Sequence, residues 1–338
     1  MITISVCLIV KNEEKILARC LDSLKEIADE LIIVDTGSND GTKQIALSYT
    51  DKVYDFKWED DFSSARNFSF SKSSMEYIYT ADADEVIDTE NRSKFIKLKQ
   101  SLLPEIEIVQ MLYKNQLKHN TTYNFDKEYR PKLYKRLRNF KWQDPIHESV
   151  VLEPVIYNSD IEIIHMPKSN HGKRDFYIFQ KLIKQGKTLS IKVQNMYARE
   201  LFIAGTESDF MEAEEYFEKL GEKDLPLDRL KQIQCILVHC GLIKNNPTQI
   251  MKYALRNVAI EKTSSEVCYD VGEFYYRHKD YKEAIIWFYN AAYETESFLN
   301  IHYSGDYPLN RLALCYEKLG QHEQAESYKK LADEWSSK

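Results

Sequence analysis

No stretch of this 338-residue chain is apolar for long enough to cross a bilayer, which excludes a transmembrane helix as its organising element. Its six cysteines (Cys7, Cys20, Cys235, Cys240, Cys268, Cys315) include no CxxC pair, and each lies inside a strand or helix pattern. That argues for free, mostly buried thiols in a reducing compartment. Positive charge is in deficit: 46 Lys and Arg against 53 Asp and Glu leave a net charge of −7. A general nucleic-acid-binding role therefore has no electrostatic support. The amino terminus has no basic segment ahead of a longer apolar stretch and opens directly on a strand-like run. No cleaved leader is expected, and a cytoplasmic location is.

What is present is the balance of a folded protein, with 43% hydrophobic and 29% charged residues and length enough for two cores. The first half alternates strands and helices. Ile4 to Val10 is a near-continuous apolar run, as in a strand buried on both faces. A helix follows with Ile16, Leu17, Cys20, Leu21 and Leu24 at helical spacing. Glu30 to Asp35 is a second buried strand, ended by a carboxylate and followed by the turn Thr36-Gly37-Ser38-Asn39-Asp40-Gly41 and a helix. A strand over 52–56, a helix over 62–71 and the strand Tyr77 to Asp82 complete a β-α-β-α-β-α-β order. This order implies a mostly parallel sheet whose ligands bind beyond the carboxyl ends of the strands, where Asp35 and Asp82 lie. Extended segments over 106–117, 129–137 and 150–165 are expected to complete the sheet and build an acceptor-side wall.

From about Asp175 the pattern is helical. Tyr269, Gly272 and Tyr275-Tyr276 precede the run Asp280 to Ala292, and Leu312, Tyr316, Leu319-Gly320, Ala325 and Tyr328 repeat the scheme. Ala198, Leu201, Phe202, Ala213 and Phe217 form an earlier copy. Small residues where two helices touch, with aromatics in the gaps, resemble tetratricopeptide repeats, an ordinary helical bundle being the alternative. The domains are expected over 1–172 and 173–338.

Chemistry concentrates at a few strand ends. Alternation along an extended Ala81-Asp82-Ala83-Asp84 would set both aspartates on one side, where they can hold a hard divalent cation that grips a diphosphate. Asp35 can accept hydrogen bonds from a base or ribose, while Asp40 or Thr42 caps the next helix. Lys11-Asn12-Glu13-Glu14 stands beside that site, or is simply a solvated helix start. Arg66, within Asp61-Phe62-Ser63-Ser64-Ala65-Arg66-Asn67, suits pairing with phosphate; a plain surface arginine is the alternative. Lys141 to Ser149 carries His147-Glu148, either a base that takes a proton from an attacking group or a pair that only fixes a loop. The basic residues Arg130, Lys132, Lys135, Arg136 and Arg138, with Tyr129 and Tyr134 between them, could face a diphosphate or an acidic acceptor, but most are expected on a solvated edge strand. His165 is a third metal ligand or a structural histidine.

In this order, Ser5 to Glu13, the loop 35–42, Phe62-Ser63-Ser64-Ala65-Arg66-Asn67, Asp82-Ala83-Asp84 and His147-Glu148 resemble family 2 glycosyltransferases of the GT-A fold. The resemblance covers roughly the first half of the chain. It is strongest to the branch with lipopolysaccharide-core glucosyltransferases and peptide S-glycosyltransferases, the latter also carrying a helical-repeat tail. It implies a GT-A (Rossmann-like) α/β nucleotide-sugar domain followed by an all-α, TPR-like domain. It further implies an inverting transfer of a hexose (glucose or N-acetylglucosamine class) from a UDP-sugar with Mg²⁺ or Mn²⁺. Carried over by position, Ile9, Lys11, Glu13 and Asp35 would line the uridine pocket, and Arg66 and Ala83 would face the donor. Asp82 and Asp84 would hold the metal, with His165 as a further ligand. Glu148 is the favoured base, His147 the alternative and Asp144 the third; the family usually has glycine near Asp144-Pro145.

The expected acceptor is a peptide or protein, modified at cysteine or serine, because stacked repeats offer an extended binding face. A cell-surface saccharide is the alternative acceptor. A non-catalytic repeat scaffold with a relic glycosyltransferase domain is the rival of a different class. A homodimer through the helical repeats is a further expectation.

Overall fold

Strand β1 (Ile4–Val10) is buried along nearly its whole length because strands flank it on both sides and helices cover both faces. Helix α1 (Leu17–Leu24) turns Leu17, Cys20, Leu21 and Leu24 onto the sheet, the i, i+3, i+4, i+7 stripe of a one-sided helix. Then come β2 (Glu30–Asp35), α2 (Thr42–Tyr49), β3 (Val53–Asp55), α3 (Phe62–Ser71), β4 (Tyr77–Ala81), the two-residue β5 (Glu85–Val86) and α4 (Thr89–Ser101). Helix α3 starts where Asp61 accepts the Ser64 amide at 3.0 Å, and α4 where Asp88 accepts that of Asn91 at 2.9 Å. The unit continues with β6 (Ile108–Lys114), β7 (Lys127–Lys135), β8 (Trp142–Gln143), β9 (Ser149–Val150) and β10 (Ile156–His165).

This computed structural model describes residues 1–114, 127–150, 155–166, 172–260 and 262–335. Residues 115–117 and 151–154 of the expected strands lie outside the described residues. The chain divides into two units, Met1–His171 and Gly172–Lys338.

The main sheet of the first unit runs β3-β2-β1-β4-β7-β6-β10-β5. The first four strands in that order are parallel, β7 is antiparallel to both β4 and β6, and β10 is parallel to β6. Strands β6 and β10 therefore point the same way as β1, β2 and β4. The end of β10 at His165 thus joins the sheet edge that carries Asp35 and Asp82. Strand β7 lies between β4 and β6, which overturns its expected place at an edge. The reversal comes from long-range pairing, Ile78 with Tyr134 and Val109 with Leu133, which no local pattern announces. The unit is a mixed α/β domain with helices packed on both faces of its sheet.

The second unit is all-α over its described residues: α5 (Gly172–Lys184), α6 (Ile191–Ala204), α7 (Glu207–Gly221), α8 (Leu227–Ile243), α9 (Pro247–Val258), α10 (Ser265–Arg277), α11 (Tyr281–Tyr289), α12 (Asp306–Lys318) and α13 (His322–Asp333). Most consecutive helices pack as neighbours, α6 and α7 meet through the Tyr197–Phe217 and Phe202–Phe210 rings, and α8 also packs on α6 and α10, the arrangement of stacked helix pairs. Ala198, Leu201, Phe202, Ala213 and Phe217 are all buried, as the repeat pattern requires. At Gly272 of α10 a Cβ would come within 2.8 Å of the Phe288 ring, so a small residue is needed where α10 and α11 touch. No helix among the described residues is long and apolar enough to cross a membrane.

Candidate active site

The carboxyl ends of β1 and β2 carry the first group of expected residues. Val10 and Asp35 are register partners at the tips of the two strands. Asp35 is buried; its Oδ1 accepts the amides of Gly37 and Ser38, both at 2.8 Å, while the buried Oδ2 has no hydrogen-bond partner among the described residues. A buried acceptor left unmatched inside a folded site is suited to a ligand donor such as a base N–H or a ribose hydroxyl. Gly37, at φ +100, allows the tight turn that puts its amide on Asp35. The adjoining loops are knitted together: Asn12 donates its amide to Ser38 Oγ at 2.9 Å, and Glu13 donates its own to Thr42 Oγ1 at 2.6 Å. Asp40 accepts the Thr42 amide at 3.0 Å, but Gly41, and neither Asp40 nor Thr42, occupies the cap position of α2. Lys11 is exposed at this rim, Glu13 is half-buried, and Ile9 packs partly against Cys7, Ile32, Val34 and Ile78.

The second group centres on Arg66. This buried arginine projects from α3, donating Nη1 to Thr80 Oγ1 at 2.8 Å, Nη2 to Asp82 Oδ1 at 2.8 Å and Nε to Glu148 Oε1 at 2.5 Å. Expected to face a phosphate, it is instead engaged by three side chains of its own unit. A planar guanidinium has the fork of donors needed for this, and it stays charged when buried because two carboxylates face it. Burial works against that charge, but Asp82 and Glu148 together push the Arg66 pKa upward. Burial likewise opposes ionisation of Asp82, yet Arg66, then Lys132 and Arg130, hold its carboxyl well below the usual range. Asp82 is thus an anion.

Asp82 and Asp84 do not lie on one side of an extended segment, as alternation implies. β4 stops at Ala81, and Asp82 to Glu85 form a turn in which the Glu85 amide donates to the Asp82 carbonyl at 3.0 Å. The buried Glu85 side chain also accepts the Asp82 amide, at 3.2 Å. The turn sends the two carboxylates to different partners. Asp82 goes to Arg66, and Asp84 Oδ2 meets His165 Nε2 at 3.1 Å. Ala83, expected near the donor, buries its methyl in the core. Among the described residues no three His, Cys, Asp or Glu side chains form a ready-made metal cage, so an Asp82–Asp84–His165 triad is not what the structure displays. Asp84 with His165 is the pair brought together.

Glu148 and His147 sit on the β8–β9 hairpin, which is fastened to α3. The Asn67 amide brackets the Trp142 backbone, donating to its carbonyl at 3.0 Å and accepting its N–H at 2.9 Å. The Phe62 amide donates to the Pro145 carbonyl at 2.9 Å, and the Arg66 guanidinium lies 5.0 Å from the centre of the Trp142 ring. Asp144 adopts φ +69, the left-handed conformation glycine favours. His147 also lies at positive φ, +49. Glu148 Oε2 makes no hydrogen bond among the described residues.

Sequence reasoning missed Thr80, Asn67, Trp142, Glu85 and Lys132. The buried Lys132 of β7, expected on a solvated edge, donates to Glu85 Oε1 at 2.6 Å and stands 3.9 Å from Asp82 Oδ2. Its neighbour Arg130 stacks 4.0 Å above the Tyr113 ring, which lies 5.2 Å from that of His165. A lone threonine in the otherwise apolar β4 was a usable signal for Thr80. For Lys132 the signal was ambiguous, because edge strands also favour lysine.

Residues 5–152 match the family described as Glycosyl transferase family 2. The chain is 45% identical over 85 residues to a TPR repeat-containing protein of Synechococcus elongatus, covering 25% of this chain and 21% of that protein. It is 37% identical over 102 residues to the SPbeta prophage-derived glycosyltransferase SunS of Bacillus subtilis, covering 30% and 24%. To the lipopolysaccharide core biosynthesis glycosyltransferase LpsC of Rhizobium meliloti it is 32% identical over 107 residues, covering 30% and 36%. These matches thus span between about a fifth and about a third of the relatives' own length. Among solved structures, glucosyl-3-phosphoglycerate synthase from Mycobacterium tuberculosis, in complex with Mn²⁺, UDP and glucosyl-3-phosphoglycerate, superposes with a TM-score of 0.41. It has 16% identity, over 56% of this chain and 82% of that one.

Proposed function

Because residues 5–152 of this chain belong to glycosyltransferase family 2, we propose that it transfers a hexosyl group from a UDP-sugar to a peptide or protein acceptor, with inversion at the anomeric carbon. The observation that carries this reading is the joining of Glu148 and Asp82 through Arg66 at the sheet edge where α/β domains bind ligands. One carboxylate stands on the donor side and one on the hairpin wall.

Each residue then has a task. The unmatched Oδ2 of Asp35 accepts from the nucleoside, and Lys11 and Glu13 form the rim of the same pocket. Asp84 and His165 fit a divalent cation completed by diphosphate oxygens and water, since Mg²⁺ is commonly held by one or two protein groups and a substrate phosphate. When bound, Mg²⁺ or Mn²⁺ would neutralise charge on the leaving diphosphate. Glu148 takes the acceptor proton on Oε2. The acceptor heteroatom bonds to the anomeric carbon as the bond to the diphosphate oxygen breaks, and the electron pair leaves with UDP. His147 lies beside that base and remains the second choice for it.

The peptide acceptor is supported by the stacked helix pairs of the second unit, a form suited to extended ligands. UDP release should be screened across nucleotide sugars with Mn²⁺ and with Mg²⁺. Turnover with one donor, lost on chelation and in Asp84→Ala, is expected. Turnover indifferent to EDTA would remove the metal from this reading, and no turnover with any donor and acceptor would favour a non-catalytic scaffold. A mass shift on a peptide, as opposed to a glycan or lipid, decides the acceptor.

A further inference from the structure

We propose that Lys132 is a positioning residue for the donor site, acting through Glu85 to hold the Asp82–Glu85 turn in its ligand-binding form; this rests on the glycosyltransferase reading above. Three carboxylates, those of Asp82, Asp84 and Glu85, crowd one four-residue turn, and Glu85 is buried. An unpaired buried carboxylate beside two others would be expelled toward water, and the turn with it. Lys132 prevents this. Its ammonium, itself buried, lies 2.6 Å from Glu85 Oε1 and 3.3 Å from the Thr80 carbonyl. Held there, Glu85 keeps its other oxygen on the Asp82 amide at 3.2 Å, which closes the turn.

The same ammonium is 3.9 Å from Asp82 Oδ2, while Arg66 takes Oδ1 at 2.8 Å. Asp82 is therefore oriented from both sides by cations reaching it from β7 and α3. This sets the direction of the next carboxylate, Asp84, toward His165. Lys132 acts from behind the turn and needs no contact with substrate. Its loss falls on how well the donor is bound, and it can be offset by removing the carboxylate it neutralises.

The test is a pair of variants assayed by UDP release, Lys132→Met alone and Lys132→Met with Glu85→Gln, with melting temperatures recorded. The single change is expected to raise the donor KM about tenfold or more, with kcat affected less. The double variant should recover to within about threefold of the unaltered chain, since a neutral amide can still accept the Asp82 amide and no charge is left buried. An unchanged donor KM in the single variant overturns the proposal. So does a folded double variant as impaired as the single, which would mean that Lys132 meets the substrate directly. If Lys132→Met fails to fold, the double variant decides alone: near-normal KM upholds the role and a raised one refutes it. Absence of UDP release from the unaltered chain with every donor is a different failure, which sinks the glycosyltransferase reading and this inference with it.

Discussion

Glu148 and Arg66, 82 positions apart in the chain, meet at 2.5 Å between Oε1 and Nε. The contact closes the hairpin wall onto α3, and the other arm of the same guanidinium reaches Asp82 at 2.8 Å. The carboxylates of the hairpin and of the β4 end are thereby held by one rigid plane of donors, and in the proposed transfer this would preorganise the acceptor and donor sides together.

Arg66→Lys is expected to behave as a loss and not as a conservative change. A lysine offers a point charge that cannot serve Thr80, Asp82 and Glu148 together. Leaving a buried partner unpaired typically costs about 2–5 kcal/mol. UDP-release kinetics should show kcat/KM lower by about a hundredfold or more. A variant within about threefold of the unaltered chain would show that the three contacts are dispensable.

Asn67→Ala removes both hydrogen bonds that pin Trp142, and leaves its backbone N–H and carbonyl without partners inside a half-buried seam. A destabilisation of about 1–3 kcal/mol is expected in denaturant unfolding. Because the loosened hairpin carries Glu148, kcat should fall more than the donor KM rises. The reverse split would place the hairpin on the donor side.

Glu266 of α10 is wholly buried and accepts the amides of Phe298, Leu299 and Asn300 at 2.6–3.1 Å. Burial raises its pKa from 4.5 to about 7, against the lowering effect of those backbone donors. Between these two values the folded chain binds more protons at this site than the unfolded one, so stability contributed here falls as pH rises from 4.5 to about 7. Glu266→Gln cannot titrate. Its melting temperature relative to the unaltered chain should therefore climb across that window, and a difference that is flat with pH would show that Glu266 does not protonate.

Gly272→Ala should destabilise the second unit by overpacking. The new Cβ would meet the Phe288 ring at 2.8 Å, and Phe288 is fully buried in the same cluster. Overpacking costs typically about 1–3 kcal/mol, partly offset by about 1 kcal/mol of improved helix propensity. Combining it with Phe288→Leu should recover part of the loss in urea unfolding. A stabilised single variant would mean that α10 and α11 can separate freely.

Much of this arrangement was legible beforehand where the physics is local. The apolar run Ile4–Val10 implied a strand covered on both faces, the stretch 62–71 implied the helix that is α3, and the small-and-aromatic scheme implied paired helices, because each depends on neighbours within a few residues. Asp35, Asp82 and Asp84 were found because strand ends can be read from where apolar periodicity stops. The conformation between Asp82 and Glu85 was not, since alternation assumes that the strand continues, whereas the Glu85 amide and side chain together fold it back.

By itself the amino-acid order determined the parallel β-α half, the helical tail and the strand ends that bear the chemistry. Tertiary structure alone decided which side chains meet: Arg66 with Glu148 and Asp82, Lys132 with Glu85, His165 with Asp84. The reason is that a buried ion is tolerated only beside an opposite charge, and those partners lie many positions apart, joined by an antiparallel strand inserted between β4 and β6 and by a hairpin fastened to α3.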